Sequence, residues 1–288
     1  MGVGDRVWHG YQMAQLIEPR QGPEALDRRA GMFILASRTH RKEGNSLRIV
    51  ITGGGGLLAG ALTTHLQSVG HEVRSAGPDE ASVLDIDAIG QLCAGADRIV
   101  HLARAQRDPS APVAEEDGRI LDTALKGTWN VLQAAREAGV RQVVQISDVC
   151  VYSGYDPGTI LSEDMVALPD TSAEQQALHL AEGVAHEFAS ETPGFVLTLR
   201  LGRLVEAASL AASAPFDPDW LDVDDAVAAV TRGFELESYD HPKHWGLYNL
   251  VADTPFRRFA LRIKGGSFSL TPTVDFHDWW PDEQKGAP

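Results

Sequence analysis

The residues best placed to do chemistry are four consecutive glycines, Gly53 to Gly56, set between an apolar run and a segment of helical period in LRIVITGGGGLLAG. Glycine has no side chain to hold an anion off the backbone. A helix that starts directly after the turn adds unpaired N–H groups and the positive end of its dipole. Such a turn cradles a pyrophosphate, and Gly53, Gly56 and Ala59 stand at the spacing of the dinucleotide fingerprint. Leu57 and Leu58 open the helix and belong to the same cradle.

A cradle of this kind needs a strand before it and a helix after it, and the chain repeats that alternation from Leu47 onward. LRIVIT, HEVRSA, the short SVLD (Ser82 to Asp85), RIVHLA, RQVVQIS and FVLTLRL read as successive strands. The segments between them carry helical periodicity, notably LLAGALTTHLQSVG, the stretch from Asp117 to Gly139, and Ser172 to Glu191. Near-continuous apolar strands alternating with helices predict an α/β fold: a Rossmann-type, doubly wound parallel sheet covered on both faces. This domain is expected over 47–203. A small C-terminal substrate lobe follows over 204–288, its 221–250 segment packing back on the sheet. Four tryptophans, Trp220, Trp245, Trp279 and Trp280, serve either as lobe core or as pocket lining.

Composition narrows the function classes. The 288 residues are 43% hydrophobic and 23% charged, as in ordinary globular proteins, and no apolar run approaches the length of a membrane span. A net charge of −15 argues against a nucleic-acid footprint, which needs clustered Lys and Arg. Cys93 and Cys150 have no CxxC spacing, so no zinc ribbon or disulfide framework is indicated and a reducing cytoplasm is the expected compartment. The first 46 residues carry seven Arg or Lys against five Asp or Glu, leaving −17 on the remainder. They read as a flexible extension or an over-long start, with Met32 as an alternative first residue.

Taken together, the motifs resemble those of the extended short-chain dehydrogenase/reductase family, the NAD-dependent epimerase/dehydratase group. The matching pieces are VITGGGGLLAG, VLD at Asp85, VHLA at Val100 to Ala103, GTWNVLQAAREAGV, ISDVCVY, LRLGRL, LDVDDAVAAV and YNL. The resemblance implies a bound NAD or NADP. It places Asp85 on the adenine edge with Ile86 beside the ring, and Leu102, Ala103 and Arg104 along the ribose and pyrophosphate channel. Asp85 reads equally well as a helix cap before DAIGQL. The acid expected after the second strand is replaced by Gly77, while Arg74 in that strand is a candidate for a 2′-phosphate.

The resemblance breaks at the catalytic residues. Family members use a Tyr as acid/base, a Lys four residues later that lowers its pKa, and a Ser or Thr that polarises the substrate oxygen. Aligned on ISDVCVY and on Glu182, those places hold Glu174, Leu178 and Asp148, and Ala124 replaces a common Asn. No lysine lies between Lys126 and Lys243, so no YxxxK exists in this region. By position, Asp148, Tyr152, Glu174 and His179 remain as acid/base candidates, the carboxylates with pKa values raised by partial desolvation. Arg200 is a candidate substrate contact or a strand-end salt bridge.

Three functions fit. One is a non-standard oxidoreductase or epimerase acting on a small carbonyl, hydroxyl or sugar-like molecule. Another is an inactive NAD(P)-binding sensor, and the third a non-redox lyase or cyclase. His179, Glu182 and His186 share a helical face but are not read as a metal site, and no metal is expected. The two long helices imply, by resemblance, a homodimer.

Overall fold

The computed structural model describes residues 46–191, 194–236, 244–260, 268 and 270–281; the segment read as an extension lies outside them. Residues 46–288 form one compact unit. Its centre is a six-stranded sheet made of β1 (Arg48–Thr52), β2 (Glu72–Ala76), β3 (Arg98–His101), β4 (Gln142–Asp148), β5 (Phe195–Leu201) and β8 (Trp245–Leu250). Every neighbouring pair is parallel, in the order β2-β1-β3-β4-β5-β8. Two short strands, β6 (Arg203–Val205) and β7 (Trp220–Asp222), pair separately.

The sheet is covered on both faces, and the period-2 alternation of strand side chains decides which helix each residue meets. Ile49 and Ile51 of β1 pack with Leu62 and Leu66 of α1 (Leu57–Ser68) and with Val227 and Val230 of α5 (Val223–Gly233). Val50, between them in sequence, points to the opposite face. There it joins Ile89 of α2 (Ile86–Cys93), Val131 and Leu132 of α3 (Val113–Glu137), and Ala185 of α4 (Ala173–Glu191). Leu62, Leu66, Ile89 and Val131 have no exposed surface, and each fully buried aliphatic side chain of this size stabilises the fold by about 1.5–3 kcal/mol.

One expected strand is absent. Ser82 to Asp85 forms a turn, because its polar groups are satisfied locally rather than by a ladder. Ser82 Oγ accepts from Leu84 N, and Asp85 Oδ1 accepts from Asp87 N and Ala88 N, capping α2. The Val83 carbonyl takes the Asn130 side-chain amide at 2.9 Å. The chain therefore passes from β2 to α2 without adding a strand.

At the far end of the sheet, β8 pairs with β5 over its whole length, and α5 packs on the α1 face. Described residues of the C-terminal part build a separate aromatic cluster: Trp220 meets Phe216 and Trp279 edge-to-face and Phe276 at a tilt, and Phe256 meets Trp280 edge-to-face. Trp245 instead meets His186 and donates to Thr198 Oγ1.

A polar ladder crosses the middle of the sheet. His101 Nδ1 lies 2.7 Å from Thr52 Oγ1, and its Nε2 lies 3.1 Å from Thr128 Oγ1, joining β1, β3 and α3. Burial, with a smaller contribution from the Arg104 charge, pushes the His101 pKa from 6.5 down to about 4. The unfolded chain thus binds a proton in that window that the folded chain does not. Stability is full above about pH 6.5 and is lost as pH falls toward 4, by on the order of 3 kcal/mol. Denaturant titrations at pH 7 and pH 4.5 should show this loss, and His101→Asn should flatten it.

Candidate functional site

β1 ends in Thr52, and the backbone then turns sharply. Gly53 has φ +80°, a left-handed conformation open to glycine, and a Cβ there would lie 2.6 Å from Ala103 N. The N–H groups of Gly53 and Gly54 both donate to the Ala76 carbonyl at 2.9 Å, tying the turn to the end of β2. Gly55 and Gly56 stand on the open side: a Cβ on either would meet no described atom within 4 Å. Gly56 caps α1 in an extended conformation, and no described side chain caps the first-turn amides. Leu57 is exposed, whereas Leu58 and Ala59 are buried beneath the turn. The turn thus presents open backbone beside a helix N-terminus without a side-chain cap, the kind of surface that attracts anions.

Around this turn the expected nucleotide contacts divide. Asp85 is exposed and uses Oδ1 alone for the cap, so its two expected roles are compatible. Ile86 is 42% exposed beside Leu84, forming an apolar edge, and Ala103 and Leu102 line the floor under Gly53. Arg74, the candidate for a 2′-phosphate, donates from its guanidinium to the Ala94 carbonyl at 2.8 Å, at the C-terminal end of α2. The sequence reading also missed Glu80. It folds back so that Oε2 accepts from Gly77 N at 2.9 Å, setting a carboxylate at the end of β2. An acid three residues past that glycine was the available signal.

The expected catalytic residues occupy two different environments. Asp148 ends β4, where Oδ1 accepts from Cys150 N at 2.8 Å and Oδ2 pairs with Arg104 at 3.3 Å. Both partners of that ion pair are partly exposed. Arg104 therefore lies against a carboxylate at the end of β4. Glu174, in the first turn of α4, receives the Arg107 Nε at 2.6 Å, and Arg107 also pairs with Asp117 at 2.5 Å. The Arg107 hydrogen bond holds the Glu174 carboxyl below its ordinary range, which overturns the expectation of a desolvated, raised pKa. Arg107 was invisible in the sequence, since it joins residues 10 and 67 positions away.

Tyr152 and Arg200 both lie in the interior, and Arg200 forms a salt bridge, the second of the two roles expected for it. Tyr152 is 1% exposed, its hydroxyl donates to the Ser162 carbonyl at 3.1 Å, and burial raises its pKa further above 10. Arg200 is 4% exposed and also donates to that hydroxyl. Its other nitrogens grip Glu182 in a two-point pair at 2.8 and 2.5 Å, and Ser147 Oγ completes the network on Glu182 Oε1 at 2.5 Å. This network pins α4 to β4 and β5 and holds both Tyr152 and Arg200 in the interior. Leu178, at the place of the family's Lys, packs on the apolar cluster around Tyr152.

Among the described residues no group of three or more His, Cys, Asp or Glu is arranged to hold a metal ion. Nor is any described helix long and apolar enough to cross a membrane. His179 is half-buried, and its Nδ1 is buried without a described hydrogen-bond partner.

The parallel sheet and the glycine turn define a Rossmann-like fold of the short-chain dehydrogenase/reductase kind. The model of the NAD dependent epimerase/dehydratase family matches residues 49–205, and the chain belongs to that family. It is 29% identical to cinnamoyl-CoA reductase 1 of Petunia hybrida in a match that covers 42% of each protein, and so spans under half of that relative's length. Its fold is similar to a mutant uronate dehydrogenase from Agrobacterium tumefaciens complexed with NAD (TM-score 0.66, 18% identity, 80% of this chain and 86% of that one). It is likewise similar to the glucuronic acid dehydrogenase of Chromohalobacter salexigens (TM-score 0.65, 22% identity, 81% and 86%).

The buried pair gives a stability test. Both side chains of Arg200 and Glu182 are 5% exposed, so Glu182→Ala leaves an uncompensated buried guanidinium and should cost about 3–5 kcal/mol in denaturant unfolding. A cost below about 1 kcal/mol would contradict the structural role given to this network.

Proposed function

We propose that the chain binds a nicotinamide dinucleotide in the glycine cradle and acts as an oxidoreductase on a small hydroxyl- or carbonyl-bearing substrate. The observation that carries the reading is the turn at Gly53 to Gly56: closely backed by Ala103 on one side, and open on the other toward an uncapped helix N-terminus. Gly53 to Leu58 would hold the pyrophosphate, Asp85 and Ile86 the adenine, and Leu102 to Arg104 the channel between. When bound, the dinucleotide supplies a hydride donor or acceptor.

The chain's own contribution is the proton. Asp148 is the acid nearest in kind to the family's polarising residue, and its Oδ2 is held only by a long, partly exposed pair with Arg104. Such pairs are worth about 0–1 kcal/mol and open readily. Oδ2 then accepts the proton of a substrate hydroxyl, or returns it to a carbonyl oxygen. Glu80 favours NAD over NADP, since a carboxylate at the end of β2 accepts ribose hydroxyls and repels a 2′-phosphate. The sugar-acid dehydrogenases of the same fold make hydroxy acids of sugar size the first substrates to try. The exposed Trp129 and Leu180 of α3 and α4 support a homodimer through those helices.

A second reading, dinucleotide binding without turnover, is favoured by one feature: Glu174 is locked to Arg107 and Leu178 is apolar, where the family carries its Tyr and Lys.

Two experiments test the proposal. In calorimetric titration NAD should bind more tightly than NADP, with Glu80→Gln narrowing the difference. Gly56→Val should fold normally, because Gly56 has an extended conformation any residue adopts, yet weaken NAD binding by at least about tenfold. Absence of NAD and NADP binding to the folded chain would refute the cradle. In assays of hydroxy-acid oxidation with NAD, Asp148→Asn should lower kcat by about 100-fold while leaving NAD affinity unchanged. Tight binding with no turnover of any substrate would establish the second reading.

A further inference from the structure

The first turns of α4 hold Glu174 and Leu178 where the family carries its Tyr and Lys, and Leu178 packs among apolar residues. A cation reaches the same place from another element. Arg107, on the segment between β3 and α3, lies with Nε 2.6 Å from Glu174 Oε1 and Nη2 2.5 Å from Asp117 Oδ1. The two carboxylates take up Nε and Nη2 of a planar guanidinium that has five N–H donors. Among the described residues nothing bonds Nη1, and the Arg107 side chain is 31% exposed.

The backbone on both sides of Arg107 is pinned. The Gln106 carbonyl accepts from Arg119 Nη2, and Asp108 N donates to Glu116 Oε2 at 2.6 Å. Glu116 is buried and is itself gripped by Arg119, through Nε at 2.8 Å and Nη2 at 2.5 Å. Asp108 Oδ1 closes the next turn, accepting from Ser110 N at 2.8 Å and from Ser110 Oγ at 2.6 Å. A donor fixed in this way before a ligand arrives needs no reorganisation during a reaction. The pinned segment also begins at the glycine turn: Ala103 backs Gly53, Arg104 meets Asp148 at the end of β4, and Arg107 follows within about 11 Å of Arg104 along the chain. The strand order reverses between β1 and β3, and sheets of this kind bind ligands outside the strand ends at that point.

We propose that Arg107 is a catalytic residue whose Nη1 donates to the reacting oxygen of the substrate, supplying from the β3–α3 segment the cation that α4 lacks at Leu178. This rests on the oxidoreductase reading above. In the oxidative direction the substrate O–H bond breaks and its proton goes to Asp148 Oδ2, as assigned there. The C–H bond breaks, its hydride passes with both electrons to an oxidised nicotinamide dinucleotide, and the C=O bond forms. Arg107 keeps its own protons and stabilises the negative charge that the oxygen carries between loss of the proton and loss of the hydride. Glu174 and Asp117 hold the guanidinium in place, while Glu116 and Arg119 hold the backbone that carries it.

The first test needs no turnover. In the full chain labelled with 15N-arginine, Arg107→Lys identifies the Arg107 Nε–H resonance. In the parent that proton should exchange with solvent more slowly than the one on Arg203, whose side chain is 72% exposed, and Glu174→Gln should speed it. The second test uses the hydroxy acid that the parent oxidises fastest with NAD. Arg107→Met should lower kcat by about 100-fold with NAD affinity unaltered in calorimetry, and Arg107→Lys should recover part of the loss. Guanidinium added at millimolar concentration to Arg107→Ala should raise its rate until the vacated place is filled. A clamp that only joined α3 to α4 would lose stability in these variants, without a fall in kcat for the folded fraction.

A kcat for folded Arg107→Met within about threefold of the parent, no response of Arg107→Ala to guanidinium, or an Arg107 Nε–H that exchanges as fast as that of Arg203 overturns the proposal and leaves the oxidoreductase reading standing. Absence of turnover in the parent chain overturns the oxidoreductase reading itself, and the chemical role of Arg107 with it.

Discussion

The rest of the structure hangs on a contact between two stretches of backbone. Gly53, in a left-handed conformation at the end of β1, lies directly against Leu102 and Ala103 at the end of β3. No other residue type fits, because a Cβ would enter the neighbouring main chain. This contact turns the chain out of the sheet within one residue. It leaves Gly55 and Gly56 facing open space and aims α1 so that its uncapped amides converge on that space. The same strands are held beneath the turn by the Thr52–His101–Thr128 ladder, which is why a neutral, buried histidine matters to a site it never touches.

At the other end of the site, charge rather than shape is the organising constraint. The segment between β3 and α3 carries two arginines, each answering a carboxylate: Arg104 against Asp148, and Arg107 against Glu174 and Asp117. Beneath them, Arg200, Glu182, Ser147 and Tyr152 form a closed network that is buried on every side. The polar residues of this region therefore split into a structural set inside and a paired set at the surface. Within the second set Asp148 has the longest ion pair, 3.3 Å from Arg104.

The sheet and its helices were legible because their signals are local: apolar strand runs, helical periodicity, and Gly70 with φ +91° after α1. The glycine turn was legible for the same reason, its strand and helix being adjacent in sequence. SVLD misled because its strand-like residues are satisfied by a cap and by Asn130, 47 positions away. Tyr152 was read as an acid/base group and Arg200 as a substrate contact or a strand-end salt bridge, both from alignment, and Arg74 as a contact to a 2′-phosphate from its place in the second strand. Their partners, Ser162, Glu182 and Ala94 in turn, are set by side-chain direction, which sequence order does not encode. Glu80 and Arg107 were missed in the converse way, since each matters through where its loop folds rather than through a motif.

The central claim is that the backbone amides at the start of α1 receive a dinucleotide. Hydrogen–deuterium exchange of the full chain, with and without saturating NAD, tests it most directly. The account predicts slowed exchange concentrated in the peptide covering Gly53 to Leu62, with a smaller effect around Asp85 and Ala103. Unchanged exchange in that peptide, or protection confined to another part of a folded chain, would contradict it.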